Sequence, residues 1–586
     1  MTSEIKPSIA RPWILSGLLA LLTACGAPAT PPATTLSASP QSLTFKDPTT
    51  QTVTVTRTAT LPLPTVTSTC DGVASVTPGA STGTSSTYTV APMAAGSCTV
   101  TFSAGAQQVD VTIIVTATVS ATLSSAVKQY DPATKAFGNY SRFATQGGRS
   151  LPAYYDVTAS DSLGHPVAAV LCADSPSVQI APTSDAAHPS RYRVEVQALT
   201  TATLTVQQGG SCTPGGAALT TQEVRGVMAR PNPTASGYSH SLVVLADGTV
   251  RSWGPNYNGE IGNGTTVRTN TPVTVLGLTG AVSVAAGNTH SVAVLADGTV
   301  RAWGYNYFGE LGNDSMVASS TPVTVTSVGG AVSVAAGMYN AMALLADGTV
   351  RAWGYNGEGQ LGNGMTTDSR VAVKVSGLTD VVSVSSTSSH SLALLADGTV
   401  RSWGANSFGQ LGNGSTVASA TPVTVGGLSG VVAVAAGYDH SLALLADGTV
   451  RTWGHNDLGQ LGNATSTDTP VPVAVSTLNG VIRIAGGSSH SMALLADGTV
   501  RTWGENAAGQ LGNGGTIPRT TPVPVSGLGN VVSVMGGSGH SLALLADGTL
   551  RSWGNNTYDE LGDGTNTSSL TPVTVVGIST AAMPTP

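Results

Sequence analysis

Six histidines recur at a spacing of 50 residues or a multiple of it, and their type and spacing raise the question of a chemical role. Imidazole binds metal ions and transfers protons near neutral pH. A metal site needs ligands that converge within about 2–2.5 Å of one ion. Each histidine holds the same place in a different repeat, so repeat symmetry keeps them apart, and we expect each imidazole to bond loop backbone. They are His240, His290, His390, His440, His490 and His540.

Aspartates and tryptophans recur with the same period and fit structural roles. Asp-Gly is the sequence of a tight type I′ hairpin turn, and a buried indole needs a partner for its N–H. The sequence contains no nucleophile elbow, phosphate loop, C-x-x-C or H-E-x-x-H motif, so it predicts no catalytic residue, metal or cofactor. The two sets are Asp247, Asp297, Asp347, Asp397, Asp447, Asp497 and Asp547, and Trp253, Trp303, Trp353, Trp403, Trp453, Trp503 and Trp553.

The other aromatic side chains of the repeats occupy positions that vary from copy to copy. Ala507 and Ala508 fill one such slot without a ring, so packing does not require bulk there. Exposed clusters of tyrosine and phenylalanine are typical of binding surfaces. We therefore predict a binding face formed by Tyr238, Tyr257, Tyr305, Tyr307, Phe308, Tyr339, Tyr355, Phe408 and Tyr438.

Each repeat predicts four short strands that would position these residues. In the second copy they are 281–286, 290–296, 299–303 and 321–325, with a glycine-rich loop before the last. Four antiparallel strands repeated seven times predict an all-β chain with a closed seven-bladed β-propeller. In such a blade the loops after the first and third strands share one end, opposite the Asp-Gly hairpin. The aromatic residues should therefore gather on one rim.

The strand that closes the ring is less clearly marked. Residues 230–236 should form the first strand of the first blade, but they contain two prolines, which cannot donate ladder bonds. Residues 223–229 or the C-terminal segment 578–583 could replace them. We expect the C-terminal segment, because pairing the two chain ends leaves no free edge.

Two motifs resemble those of a known family. Ala285 to Val294 matches a G-x-x-H-[ST] signature, and Trp403 to Gly414 matches W-G-x-N-x-x-G-Q-L-G. Residues 225–586 thereby resemble the repeats of the regulator of chromosome condensation family, which implies a seven-bladed propeller. Among secreted bacterial members the chain is similar to the β-lactamase-inhibitory propeller, which implies protein recognition through loop aromatics. Asn340 and Asp559 depart from the pattern, as does the segment 385–387.

The N-terminus predicts export and lipid anchoring. Residues 1–24 combine a basic start, a short apolar run and small residues before Cys25. This order resembles the bacterial lipoprotein signal, which implies lipidation of Cys25 and a membrane anchor; the alternative is an ordinary signal peptide. Residues 25–36 are rich in Ala, Pro and Thr and predict an extended tether.

Two β-sandwich domains are predicted between the tether and the repeats. Residues 37–117 alternate Thr/Val and Ser/Leu and look like a bacterial immunoglobulin-like stalk domain, and residues 118–224 repeat the theme less cleanly. Four further cysteines allow three pairings in an oxidising compartment. Two per domain favours pairing Cys70 with Cys98 and Cys172 with Cys212.

Charge argues against a nucleic-acid partner. The net charge is −7, and the repeats contain a single lysine, Lys374, whereas nucleic-acid surfaces need clustered cations. We therefore predict a cell-envelope lipoprotein that presents its propeller to an extracellular protein or glycan. A polysaccharide-acting enzyme and a structural or adhesive component are the alternatives.

Overall fold

The computed structural model consists of β-strands and loops wherever the chain is described. The described residues are 34–125, 128–131, 136–139, 142–146, 149–150, 153–176, 178–183, 189–196, 201–213, 216–228, 233–388 and 390–578. These ranges contain no helix, and hence none long and apolar enough to cross a membrane. The predicted signal peptide and Cys25 lie outside them.

The chain divides into two compact units. The first comprises residues up to 118 together with 162–164, and the second comprises 119–161 and the chain from 165 onwards. The second unit contains all the repeats and the β-strands that directly precede them.

Two four-stranded sheets in the first unit share one apolar core. Val53 and Tyr88 of one sheet and Phe102 and Ile113 of the other are buried in it. Every second residue of a strand faces this core, which explains the Thr/Val alternation. The likeness to immunoglobulin domains stays a prediction. The sheets are Leu36–Ser39, Gln51–Arg57, Ser85–Pro92 and Ala74–Thr82, and Ser42–Phe45, Gln107–Val115, Gly96–Ala104 and Thr65–Ser68.

A second β domain precedes the repeats within the second unit. Tyr155 and Val194 of one sheet and Leu171 and Leu204 of the other are buried in its core. The sheets are Arg149–Ser150, Arg142–Gln146, Ala218–Met228, Thr201–Gln208 and Ala169–Ala173, and Val178–Pro182, Arg191–Val196, Ala153–Asp161 and Val119–Ser125; Lys128–Asp131 pairs with Ala136–Asn139.

Each of these β domains contains one disulfide. Cys70 is bonded to Cys98, and Cys172 to Cys212. The predicted pairing is therefore confirmed.

Seven four-stranded antiparallel sheets follow, one for each repeat, and we number them repeat sheets 1 to 7 and their strands A to D in chain order. The A–B and C–D loops lie at one end of each sheet, which we call the loop end, and the B–C hairpin lies at the hairpin end. Sheets 1 to 4 consist of Thr234–Ser236, Ser241–Val244, Val250–Gly254 and Thr269–Thr274; Ala281–Ala286, His290–Leu295, Val300–Gly304 and Ser319–Thr324; Ala331–Ala336, Asn340–Leu345, Val350–Gly354 and Ser369–Lys374; and Val381–Ser386, His390–Leu395, Val400–Gly404 and Ser419–Thr424.

Strand B is buried on both faces because each sheet is packed between two others. The four strands predicted for the second repeat are confirmed to within two residues. Sheets 5 to 7 consist of Val431–Ala436, His440–Leu445, Val450–Gly454 and Thr469–Ala474; Val481–Gly486, His490–Leu495, Val500–Gly504 and Arg519–Pro524; and Val531–Gly536, His540–Leu545, Leu550–Gly554 and Ser569–Thr574.

The Asp-Gly hairpins differ from the predicted type I′ turns. Gly248 has φ of 78°, but Asp247 is not among the residues with positive φ. Gly248 N donates to Leu245 O, and Leu245 N donates to Thr249 O, so the loop has three residues rather than two. Glycine alone takes the left-handed position, as in a type I turn followed by a G1 bulge. Asp247 Oδ1 accepts from Thr249 N over 2.8 Å and holds the loop closed.

Repeat sheet 1 packs against repeat sheet 7 as consecutive sheets pack against each other. Val243 of sheet 1 shares a core with Leu542 and Leu550 of sheet 7. Arg268 Nε lies 3.2 Å from Asp559 Oδ2 across the same boundary. The described sheets therefore form a closed ring.

The strand A that completes sheet 1 is Thr234–Ser236, which pairs with Ser241–Val244. The expectation that segment 578–583 would take this place is wrong, although residues 579–586 lie outside the described residues. The strand begins after Pro233, so the prolines shorten it to three residues without removing it. The alternative segment is also used elsewhere, because Ala218–Met228 belongs to the second β domain.

The second β domain contacts the hairpin end of the ring. Arg193 Nε lies 3.0 Å from Asp380 Oδ1. Asp380 directly precedes strand A of sheet 4, and its carbonyl accepts from Ala396 N in the B–C hairpin of that sheet. The loop end is the opposite end of the ring.

Candidate functional site

The recurrent histidines join neighbouring sheets through a buried network. His240 Nε2 lies 2.8 Å from Ser291 Oγ of the next sheet. Ser291 Oγ donates to Glu260 O over 2.8 Å, and Trp303 Nε1 donates to the same carbonyl over 2.9 Å. The single hydroxyl hydrogen of Ser291 is used, so the imidazole must donate from Nε2. We expected each imidazole to bond loop backbone, whereas the hydrogen bond of His240 Nε2 is to a serine side chain of the neighbouring sheet.

Burial keeps these imidazoles neutral. His240, His440 and His540 are fully buried, and burial lowers their pKa to about 3. The pKa values of His290, His390 and His490 fall to about 4 for the same reason. Each bonds a different serine or none, so they do not converge on one point. No group of three or more His, Cys, Asp or Glu side chains among the described residues is placed to hold a metal ion.

The network is interrupted on both sides of repeat sheet 3. Ala341 stands where five other sheets following a histidine carry a bonded serine, so His290 Nε2 has no hydrogen-bond partner. Asn340 replaces the histidine of sheet 3, and both its side-chain polar atoms are buried without a partner. The boundaries between sheet 3 and its two neighbours therefore lack the histidine–serine hydrogen bond that joins the other neighbouring sheets.

Five of the predicted binding residues form one cluster at the loop end of sheets 2 and 3. Phe308 lies at its centre, with ring centroids 5.0 Å from Tyr355, 5.1 Å from Tyr307 and 5.5 Å from Tyr339. Tyr305 completes it, 6.0 Å from Tyr339 and 6.5 Å from Tyr307. We call these five residues the aromatic cluster. Contact between a C–D loop and the next A–B loop confirms that both loops lie at one end.

Exposure differs within the cluster. Tyr307 is 60% exposed, whereas Tyr305, Phe308, Tyr339 and Tyr355 are half-buried. We expected Tyr305, Tyr307, Phe308 and Tyr355 to be solvent-exposed and close together; they are close together, but of the four only Tyr307 is exposed, because the rings cover one another. The cluster therefore presents one exposed ring above a supporting layer.

The remaining predicted residues lie in three other settings. Tyr238 and Tyr438 line the mouth of the central channel between the inner strands, where Tyr438 Oη lies 3.6 Å from Met338 Sδ. Asn288 lines the same mouth and donates to Tyr339 Oη over 3.3 Å, which links it to the cluster. Tyr257 is 63% exposed. The ring centroids of Phe408 and His455 lie 4.1 Å apart, with the ring planes tilted by 34°.

A buried carboxylate lies beside the aromatic cluster. Glu310 is fully buried, its Oε2 accepts from Phe308 N over 2.9 Å, and its Oε1 has no partner. Burial raises the pKa of Glu310 to about 7. Burial and the charge of Glu310 also raise the pKa of Tyr305. Its bond to Phe308 N gives Glu310 a structural role in the loop, whereas its Oε1 takes no part in that role.

The family-model comparison supports the fold assignment. Residues 332–583 match the RCC1-like domain, and 281–310, 247–294 and 297–344 match the Regulator of chromosome condensation (RCC1) repeat. No curated protein is significantly similar to the chain.

Two solved structures share the ring. Yeast RCC1 (Prp20) bound to Kap60 is 23% identical, with a TM-score of 0.50, covering 56% of this chain and 83% of that one. Prp20p from Saccharomyces cerevisiae, described with its binding to Gsp1p and histones, is 22% identical, with a TM-score of 0.50, covering 59% of this chain and 86% of that one. The seven sheets thus define an RCC1-like β-propeller. The repeat region of this chain belongs to the regulator of chromosome condensation repeat family.

Proposed function

We propose that the chain is a cell-envelope lipoprotein whose seven-bladed propeller binds an extracellular protein through the aromatic cluster. The observation that carries this proposal is the contact of five aromatic rings at the loop end, with Tyr307 60% exposed. A few residues supply most of the binding energy at protein interfaces, and tyrosine is enriched among them.

The orientation of the ring supports the proposal. Arg193 of the second β domain is paired with Asp380 at the hairpin end of the ring. This domain and the aromatic cluster therefore lie at opposite ends of the ring. This contact of the second β domain therefore leaves the loop end free of that domain. The yeast protein that shares this fold is itself bound to Kap60 in one structure and is described with its binding to Gsp1p and histones in another.

The binding test is an affinity capture in which the full chain is the bait and proteins are captured from its own cells and from neighbouring cells. We expect Tyr307→Ala to lower retention of the captured protein about tenfold or more with an unchanged melting temperature, because an exposed side chain contributes little to folding. A variant with Tyr305, Tyr307, Phe308 and Tyr355 all changed to Ala should abolish capture. Capture that survives both variants would contradict the proposal.

Glycan binding and glycan cleavage are tested with the same bait. Immobilised polysaccharides should neither retain the chain nor be shortened by it. Retention that depends on Tyr307 would replace the protein partner with a glycan.

The anchor has a separate test. Cys25→Ser should leave the chain without lipid and release it from membranes at high salt, because an anchor requires buried acyl chains. A variant that still sediments with membranes would contradict the lipoprotein proposal and leave the binding proposal intact.

A further inference from the structure

Glu310 is exceptional among the residues of its slot. The equivalent position is glutamine in four repeats, and there, as in Glu310, one side-chain oxygen accepts from a backbone N–H of the same loop. Glu560, in sheet 7, uses its other oxygen to accept from Asn555 Nδ2 over 2.7 Å. Glu310 Oε1 is the one carboxylate oxygen that is itself fully buried and lacks a partner in the part of the chain that the structure describes. The glutamines are Gln360, Gln410, Gln460 and Gln510.

The loop end as a whole is acidic. The A–B and C–D loops hold twelve Asp and Glu residues, against three arginines in those loops and the first two residues of the D strands. Arg268 and Arg370 are already paired, with Asp559 and Asp314 respectively. The acidic residues are Glu260, Glu310, Asp314, Glu358, Asp368, Asp439, Asp457, Asp468, Glu505, Asp559, Glu560 and Asp563, and the third arginine is Arg519.

Near the aromatic cluster, too, acidic side chains outnumber arginines. Asp368 of sheet 3 accepts from Asn356 N, next to Tyr355, and interacts electrostatically with Glu310. Arg370 packs against Gly309, but its Nη2 lies 3.4 Å from Asp314 Oδ1, so its charge is engaged. The cluster therefore combines ring faces with the carboxyl groups of Glu310 and Asp368, and Arg370 beside it is paired with Asp314 instead.

We propose that the aromatic cluster receives a lysine or arginine side chain of the protein partner, with the ring faces and the Glu310 carboxylate attracting its positive charge. This inference rests on the proposed function and specifies its partner. A cation within about 6 Å of a ring centroid is attracted by the ring face, and more strongly so where water is excluded. The acidic loop end steers a basic surface toward the site and repels an acidic one.

The test measures binding of the full chain to labelled peptides without aromatic residues. One pair of peptides differs only in arginine against citrulline, and a second pair only in lysine against acetyl-lysine. We expect wild-type protein to bind the charged member about tenfold more tightly than its neutral counterpart. Tetramethylammonium chloride should compete more strongly than sodium chloride of equal ionic strength.

Matched variants separate the cluster from its surroundings. Glu310→Gln introduces the residue that four repeats already carry in this slot, so the loop should fold, and it should remove most of the charge selectivity. Glu260→Gln makes the same change in sheet 1 and should not. Phe308→Ala should weaken binding of the charged peptides about tenfold, whereas Leu458→Ala, in the same slot of sheet 5, should leave it unchanged. Melting temperatures show whether each variant is folded.

Three outcomes would overturn the inference: equal binding of charged and neutral peptides, wild-type selectivity in Glu310→Gln, or equal losses in Glu260→Gln. If the natural partner is still lost on Tyr307→Ala while the peptides show no charge preference, the proposed function stands and the cationic partner does not. If Phe308→Ala is unfolded, the Glu310→Gln and peptide comparisons still decide.

Discussion

The indole Nε1 of Trp253, in the first repeat sheet, donates a hydrogen bond to the backbone carbonyl of Glu560 in the last, over 2.9 Å. Six further tryptophans make the same bond to the sheet before them, over 2.8–2.9 Å. The two ends of the repeat array are therefore joined by the contact that joins every other pair of neighbours. A ring held in this way needs no disulfide.

Because the same hydrogen bond joins every pair of neighbouring sheets, two distant substitutions should lower the free energy of unfolding equally. Trp253→Phe and Trp403→Phe each remove one buried N–H donor and leave a carbonyl without it, so each should lower the free energy of unfolding by about 1–3 kcal/mol. Denaturant unfolding of the full chain measures both. A cost for Trp253→Phe far below that of Trp403→Phe would show that the ring is open between sheets 7 and 1.

One substitution should restore the missing hydrogen bond between sheets 2 and 3. Ala341→Ser supplies the hydroxyl that His290 Nε2 lacks and should raise the free energy of unfolding by about 0.5–1.5 kcal/mol. Ser441→Ala makes the reverse change, because it removes the bond of 2.9 Å to His390, and should destabilise the ring. If Ala341→Ser leaves stability unchanged while Ser441→Ala lowers it, the hydroxyl at 341 does not reach the imidazole.

The buried histidines should make the ring sensitive to mild acid. Their pKa values are about 3–4 in the fold and about 6.5 in the unfolded chain, so the unfolded chain binds more protons below pH 6.5. Stability is complete above that pH and falls as pH decreases toward 4, by about 1.4 kcal/mol per pH unit for each histidine. Glu260, Glu310 and Glu560 oppose this, because burial raises their pKa values and favours the fold at low pH.

One variant isolates the histidine contribution to this pH dependence. His440→Asn should reduce the slope of unfolding free energy against pH between 5 and 6 by about 1.4 kcal/mol per unit, whatever its effect on stability at pH 7.5. Denaturant unfolding at several pH values gives the slope. An unaltered slope would mean that His440 is not neutral in the fold.

The first unit should depend on its disulfide. Replacing Cys70 and Cys98 together by Ala frees a loop of 28 residues in the unfolded chain, which should lower the stability of this unit by about 3.5 kcal/mol. Calorimetry should show one transition moving to lower temperature while the transition of the cysteine-free ring stays in place. Movement of both transitions together would show that the two units unfold as one.

The sequence alone determined the repeat fold, because its signals are local and occur seven times. Alternating apolar residues define the strands, and Asp-Gly marks each hairpin. The turn type was missed, since Asp-Gly fits both a two-residue and a three-residue loop, and the strand pairing decides between them. The brief strand after Pro233 was also missed, because tertiary pairing stabilises three residues that propensity would leave as loop.

Only the tertiary structure decided which of the variable residues meet. The sequence placed nine aromatic residues in loops at one end, but it could not divide them, because the conformation of each loop decides which neighbouring ring a side chain meets. Packing of the C–D loop of sheet 2 on the A–B loop of sheet 3 brings Tyr305 and Tyr339 to 6.0 Å, whereas Phe408 turns to His455. The orphaned oxygen of Glu310 is likewise invisible in a sequence where Glu and Gln alternate in one slot, because a missing partner is a property of the folded neighbourhood and not of the residue.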